Sequence, residues 1–308
     1  MPAHRPILVT GAHRSGTGWV GSMLAASADP PVAYLWEPFS LLHRPGTLAA
    51  RFDLWYPYVS GQNGGPLLGP IRDMLAFRYR PAAEIPAIRS PKDVGRMLRD
   101  WTRFARYRSV RARPLLKDPI ALFSATWLCD TFDMDVIVLI RHPAAFANSI
   151  VRRGLSHPFD HFLRQPLLMR DVLADWREPI EELSAREHPL IDQAILLWNL
   201  THSAIARYQR SRPDWTFVRL EDIAADPEAA FETMYERLGL RFDERVRGSV
   251  REHSDRSNPT EAADPASHKR DSRTSVVAWR SRLTSEQIDR IRAGTAEVAP
   301  AFYSARDW

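Results

Sequence analysis

The densest chemistry in this 308-residue chain lies near its start, in the run Gly11-Ala12-His13-Arg14-Ser15-Gly16-Thr17-Gly18-Trp19. It follows the apolar stretch PILVTG and precedes a helical pattern. A glycine loop between a strand and a helix turns backbone N–H groups and the helix dipole toward an anion. A nucleoside triphosphate loop, G-x-x-x-x-G-K-[ST], needs a lysine after its second glycine. Here Thr17 follows Gly16 and the cation comes earlier, at Arg14. The competing reading is a tight glycine turn that binds nothing. A second group follows the run DVIVLI: Arg141-His142-Pro143, then Ser149 and Arg153. On a helix beginning near Pro143, Ser149 and Arg153 share a face one turn apart. Arg141, at the carboxyl end of its strand, points into the crevice where open α/β sheets bind ligands. An ordinary strand end with a surface helix fits that stretch equally well. Lys117 closes the run PLLK and meets the same crevice, and Glu37 closes VAYLW. Glu37 also reads as a structural carboxylate paired with an arginine.

These residues need strand ends and helix starts to carry them, and the pattern supplies both. Strands are expected at Pro6 to Gly11, Val32 to Glu37, Pro114 to Lys117, Asp135 to Ile140 and Trp215 to Leu220. Helices are expected at Thr17 to Ala28, near Ile120 to Thr131, at Ala144 to Arg153, around Ile191 to Arg210 and at Pro227 to Leu238. DVIVLI is the unbroken apolar run that a parallel sheet buries on both faces. Such alternation means a parallel α/β sheet. Two stretches interrupt it: 38–112, rich in proline, glycine, tryptophan and tyrosine, and the polar 251–275. Both read as loops or lids over one domain, the second mobile until a ligand orders it, and no internal repeat is present.

Composition narrows the class. With 44% hydrophobic and 26% charged residues the chain is globular, not disordered, collagenous or coiled-coil. No apolar run approaches the roughly 20 residues that span a bilayer. The N-terminal run lacks a signal-peptide pattern, so cytoplasmic residence is the expectation. Cys129 stands alone, which excludes an intrachain disulfide, agrees with a reducing compartment and reads as a small buried hydrophobe. Only Lys92, Lys117 and Lys269 are lysines among 42 basic residues, an arginine bias that reflects genome composition more than function. The bases are interleaved with acids, against a nucleic-acid-binding stripe. His13, His142 and the other histidines show no metal-ligand spacing, so no metal is expected.

The stretch H-R-S-G-T-G-W resembles the 5′-phosphosulfate loop of the sulfotransferases that use 3′-phosphoadenosine 5′-phosphosulfate (PAPS). The resemblance implies that Arg14, Ser15, Gly16, Thr17 and Gly18 hold the 5′ end and that Trp19 stacks on the base; Gly18 stands where a Thr is frequent. It likewise implies that Arg141 and Ser149 hold the 3′-phosphate, joined by Arg153. In a branch that includes many bacterial members, a Glu at the position of Glu37 is the general base. The phenol and steroid branch uses a His after a strand-end Lys, where this chain reads Lys117-Asp118-Pro119. By the same resemblance Lys117 and Arg14 stabilise charge on the transferring group. Leu220-Glu221-Asp222 is similar to the family's Tyr-Glu-Asp turn with Leu for Tyr. Arg273 to Arg280 looks like the segment that closes over the nucleotide, from which Arg273 and Ser275 are carried over.

The expectation is one α/β domain over 1–308. It is a three-layer parallel sheet with a phosphate-binding loop, an insertion at 38–112 on the acceptor side and a polar closing segment at 251–280. The resemblance, spanning roughly 6–300, implies sulfuryl transfer from PAPS to a hydroxyl on a carbohydrate, phenol or peptide. The alternatives are a phosphate-loop kinase of a small metabolite and a non-catalytic nucleotide-binding protein. Oligomeric state leaves no mark on the sequence.

Overall fold

The structure, a computed structural model, describes residues 4–42, 46–260 and 269–308. The elements are β1 (Ile7–Gly11), α1 (Thr17–Leu24), β2 (Val32–Trp36), α2 (Gly65–Leu75), α3 (Pro81–Glu84), α4 (Pro91–Ser109), β3 (Arg113–Lys117), α5 (Ala125–Phe132), β4 (Asp135–Ile140) and α6 (Pro143–Arg152). After them come α7 (Asp160–Leu163), α8 (Pro166–Asp171), α9 (Arg177–Ala185), α10 (Leu190–Ser211), β5 (Thr216–Arg219), α11 (Leu220–Ala225) and α12 (Pro227–Arg237). The chain ends in α13 (Glu244–Ser254), α14 (Ser272–Val277), α15 (Trp279–Arg282) and α16 (Ser285–Gly294).

The five strands form one parallel sheet in the order β2-β3-β1-β4-β5. Parallel strands need crossover connections, and helices make them here, so both faces are covered. Every residue of β1 and β3 is buried, and β4 is buried after its first residue. Alternation along the strands divides the core. Ile7, Val9, Leu115, Ile137 and Leu139 pack on α1, α12 and α13. Leu8, Leu116, Val136, Val138 and Ile140 belong to the larger cluster with α5, α6 and α10. Gly11 ends β1 at φ +139°, where an added Cβ would lie 2.4 Å from the Leu139 carbonyl oxygen, so only glycine lets the chain leave the sheet there. Among the described residues no helix is long and apolar enough to cross a membrane.

All five expected strands and all five expected helices are present, with ends shifted by a few residues; α1 stops at Leu24 rather than Ala28. The larger departure is at 38–112. Read from sequence as loop, it contains α2, α3 and α4, the last of 19 residues. The polar stretch 251–275 is also shorter as a loop than expected. The helix α13 continues to Ser254, α14 begins at Ser272, and residues 261–268 of the stretch lie outside the described residues. Cys129 is buried and free, as expected.

Candidate active site

The carboxyl ends of β1 to β4 open on one cleft of about 430 Å³, within the few hundred Å³ usual for a small-molecule site. Its floor is the loop from His13 to Trp19. Gly16 caps α1 with φ 91° and no side-chain cap, and the first turn holds no acidic residue. The N–H groups of that turn have no carbonyl within the helix and keep the dipole's positive end open. Leu220 covers Gly16 so closely that an added Cβ would lie 2.5 Å from its Cδ1. The Ser15 hydroxyl turns inward and donates to the Ala12 carbonyl at 2.5 Å, so this side chain closes the loop rather than facing the cleft.

Cations ring that floor. Arg14 adopts φ 67° and its Nε donates to Ser149 Oγ at 3.2 Å. Arg141, reaching in from the end of β4, donates from Nη1 to the Arg14 carbonyl, so one guanidinium ties the strand end to the loop. The Trp198 indole N–H holds the Arg141 carbonyl at 2.9 Å. Trp19 lines the cleft between Leu220 and Val276, and its indole nitrogen is buried without a partner.

Opposite the loop, Lys117 Nζ forms an ion pair with the Glu37 carboxylate and lies 5.4 Å from the centre of the Trp36 ring. Lys117 is 4% exposed, so the pair sits at the inner edge of the cleft. Two further contacts hold it. The Glu37 N–H donates to the Lys117 carbonyl at 2.9 Å. The Asp118 carboxylate accepts from the N–H groups of Phe39 (2.7 Å), Ile120 (3.0 Å) and Ala121 (3.2 Å), pinning the turn after Glu37 to the end of β3. Burial, reinforced by the charge of Glu37, pushes Asp118 up to about 7 against those bonds.

A third wall comes from the 38–112 insertion and the segment after α6. Tyr56, fully buried at φ 53°, accepts from the His13 backbone N–H at 3.3 Å and lies 2.6 Å from His13 Nδ1. A buried hydroxyl that already accepts one bond needs an acceptor for its own proton, and Nδ1 supplies it. His13 therefore carries its ring proton on Nε2. Burial, then the Arg14 charge, lowers its pKa to about 4, so the ring is neutral at pH 7. His157 lines the cleft beside Tyr56 with its Nε2 buried and unpartnered. Of the six described non-glycine residues at positive φ, three, Arg14, Glu37 and Tyr56, line this cleft, and Phe77, Arg111 and Asp133 do not.

Of the residues singled out from sequence, Arg14, Gly16, Thr17, Gly18, Trp19, Glu37, Lys117, Arg141 and Ser275 line the cleft together. Ser149 reaches it through Arg14. Arg153, the exposed C-cap of α6, is not among the lining residues. Arg273 is not either; it is exposed and donates from Nη2 to the Ala225 carbonyl at 2.8 Å. The arginine of 251–280 that lines the cleft is Arg270, together with His253 and Ser272. His157 and Arg270 escaped the sequence reading as site residues, whereas Tyr56 was one of the aromatics of 38–112 open to an acceptor-pocket or a core reading. The one signal for His13 was its place in the loop, since Tyr56 meets it across 43 residues of chain.

A parallel α/β sheet whose glycine loop, arginines and lysine face one cleft makes a site suited to an anion at the strand ends. The chain belongs to the sulfotransferase family, whose model matches residues 6–244. It is similar to carbohydrate sulfotransferase 1 of Mus musculus, with 24% identity, covering 92% of this chain and 75% of that protein. In structure it is similar to the sulfotransferase domain from the curacin biosynthetic pathway, with TM-score 0.51, 14% identity, and 96% of this chain and 99% of that one covered. A second structure is the sulfotransferase domain from the Synechococcus olefin synthase, with TM-score 0.49, 18% identity and 98% of both chains covered.

Proposed function

We propose that this sulfotransferase moves the sulfuryl group of PAPS to an acceptor hydroxyl, with Glu37 as general base. The observation that carries the reading is the convergence of a carboxylate, a buried lysine and an arginine-bearing anion loop on one cleft. The open N–H groups of α1, Arg14 and Arg141 suit a nucleotide with anionic groups at both ends, and the Trp19 ring beside them suits its base. When bound, the donor supplies an activated sulfuryl group. Glu37 then removes the acceptor's proton as its oxygen attacks in line, and Arg14 and Lys117 stabilise charge on the departing phosphate. The insertion 38–112 forms the acceptor side through Trp55 and Tyr56, and the segment 251–280 closes over the nucleotide through Arg270, Ser272 and Ser275. Aromatic walls suit the ring of a carbohydrate or a phenol.

The kinase reading is separable from this one. Adenosine 3′,5′-bisphosphate should raise the melting temperature well beyond ATP with magnesium. Sulfuryl transfer should persist in a chelator, because this group carries less negative charge than a phosphoryl group and fixed cations suffice. Turnover that stops in the chelator and returns with magnesium would sink the proposal.

His13 adds a finer expectation. His13 lines the cleft beside the anion loop, and its Nε2–H, favoured by the Tyr56 contact at Nδ1, would meet the sulfuryl oxygens. His13→Asn loses the donor at that position and should weaken PAPS binding about 10- to 100-fold while leaving adenosine 3′,5′-bisphosphate nearly unaffected. His13→Gln, whose amide reaches the Nε2 position, should recover most of the difference. Equal losses for both nucleotides in isothermal titration would assign His13 to loop structure alone.

A further inference from the structure

Besides the anion loop and its arginines, the cleft is lined by Trp36, Ile120, Trp55, Leu155 and Leu197. Trp36 and Leu155 are 61% and 38% exposed, so large apolar side chains stand open to solvent in the lining itself. Exposed apolar surface gathered in a groove marks a place for an apolar ligand. The wall that carries Trp55 is stitched together from two distant segments. The Trp55 N–H donates to His161 Nδ1 at 3.0 Å, across 106 residues of chain. The Tyr58 N–H donates to Gln165 Oε1 at 2.8 Å, and Gln165 Nε2 returns to the Trp55 and Tyr56 carbonyls at 3.2 and 3.3 Å.

His157 sits in that seam, its ring centre 6.4 Å from that of Trp55 and 5.8 Å from that of Tyr56. Its backbone N–H is held by Gln193 Oε1 at 3.0 Å. None of these bonds uses the ring's Nε2, which is buried without a partner in a residue that lines the cleft. A buried polar atom is costly while unpaired, and a ligand group that pairs it removes that cost. Burial, then the neighbouring His13 and His161, lowers the His157 pKa well below its ordinary value, so the ring is neutral at pH 7 and offers a directional bond without a counter-charge.

We infer that His157 selects the acceptor, its Nε2 sharing a hydrogen bond with a hydroxyl of an uncharged alcohol whose apolar skeleton lies along Trp36, Trp55 and Leu155. A hydroxyl both donates and accepts, so it satisfies Nε2 in either ring tautomer. An anionic acceptor fits less well, because Lys117 is already the partner of Glu37 and a second carboxylate would stand against the first. A bare sugar carries a hydroxyl on most of its ring carbons, and Ile120, Leu155 and Leu197 give those groups no partner. The inference rests on the proposed reading of the cleft, in which this apolar lining receives the acceptor.

The test is binding without turnover: equilibrium dialysis of the full chain against 2-naphthol, naphthalene, 2-naphthoate and methyl β-glucoside, with and without adenosine 3′,5′-bisphosphate. The wild type should hold 2-naphthol about five- to tenfold more tightly than naphthalene, the worth of one hydrogen bond, and more tightly than 2-naphthoate or the glucoside. His157→Phe should bind 2-naphthol and naphthalene alike, and His157→Gln, which keeps a polar group in the wall, should retain part of the preference. Trp36→Ala, at an exposed position, should weaken both aromatic ligands by a similar factor. Melting temperatures report whether each variant keeps its fold, and if His157→Phe does not, the wild-type and His157→Gln comparisons decide. Equal binding of 2-naphthol and naphthalene by the wild type overturns the inference, as does an undiminished preference in the His157 variants. So does 2-naphthoate or glucoside binding that matches 2-naphthol, or displacement of 2-naphthol by the bisphosphate. Failure of the donor reading looks different: the bisphosphate then does not bind and no sulfuryl group moves, while the comparison of 2-naphthol with naphthalene is unaffected.

Discussion

Glu37→Gln should lower the turnover number by roughly 10²- to 10⁴-fold, the contribution of a general base, while binding of adenosine 3′,5′-bisphosphate scarcely changes. The amide keeps the shape of the side chain and cannot take a proton. The ion pair complicates the reading in a useful way. Glu37 is the carboxylate partner of a lysine that is 4% exposed, so the variant also leaves Lys117 with less compensation, and some loss of melting temperature follows whatever the role of Glu37. Turnover per folded molecule is therefore the deciding quantity. A variant that melts lower yet keeps more than half of wild-type turnover in its folded fraction would remove Glu37 from the chemistry and leave it a structural partner of Lys117.

Arg141→Ala should weaken binding of adenosine 3′,5′-bisphosphate by on the order of 2–3 kcal/mol, roughly 30- to 150-fold, because a charge-assisted fork on the 3′-phosphate is lost. Acceptor affinity should fall far less. The wild type should prefer the 3′,5′-bisphosphate to adenosine 5′-phosphosulfate, and the variant should bind the two alike. Since Arg141 also donates to the Arg14 carbonyl, a displaced loop would weaken both nucleotides together. Comparing the two ligands separates that outcome from loss of the phosphate contact, and an unchanged preference would refute the assignment.

The sheet was legible because each of its strands is short, apolar and bounded by a turn or helix signal, and β4, the least interrupted, was the plainest. Glu37, Lys117 and Arg141 were legible for a related reason. Each directly follows or ends such a strand, and parallel topology sends all those ends to one crevice. The helices of 38–112 were not. The helix α2 carries Pro66 and Pro70 within its span, and α4 is so rich in arginine that its inward positions, Asp100, Phe104 and Tyr107, form no apolar stripe. Spacing alone does not say how far a long side chain reaches: Arg153 caps α6 in helical geometry, exposed and outside the lining of the cleft. His157 lines the cleft only through tertiary contact, which no local pattern carries. Arg270 likewise reaches the cleft by the packing of the stretch before α14, which local pattern does not carry.

The pairing of Glu37 with Lys117 has a consequence for the sequence of events in the cleft. While the cleft is empty the two charges satisfy each other, so the carboxylate is engaged and is a poor acceptor for any hydroxyl that arrives first. On the proposed reading, an anionic donor seated on the loop would offer Lys117 a rival negative charge, and drawing the ammonium toward it would release the carboxylate when an electrophile is present. The pair would then act as an interlock: deprotonation of the nucleophile would be withheld until the group it is to attack has been loaded, and the donor, not the acceptor, would set the catalyst.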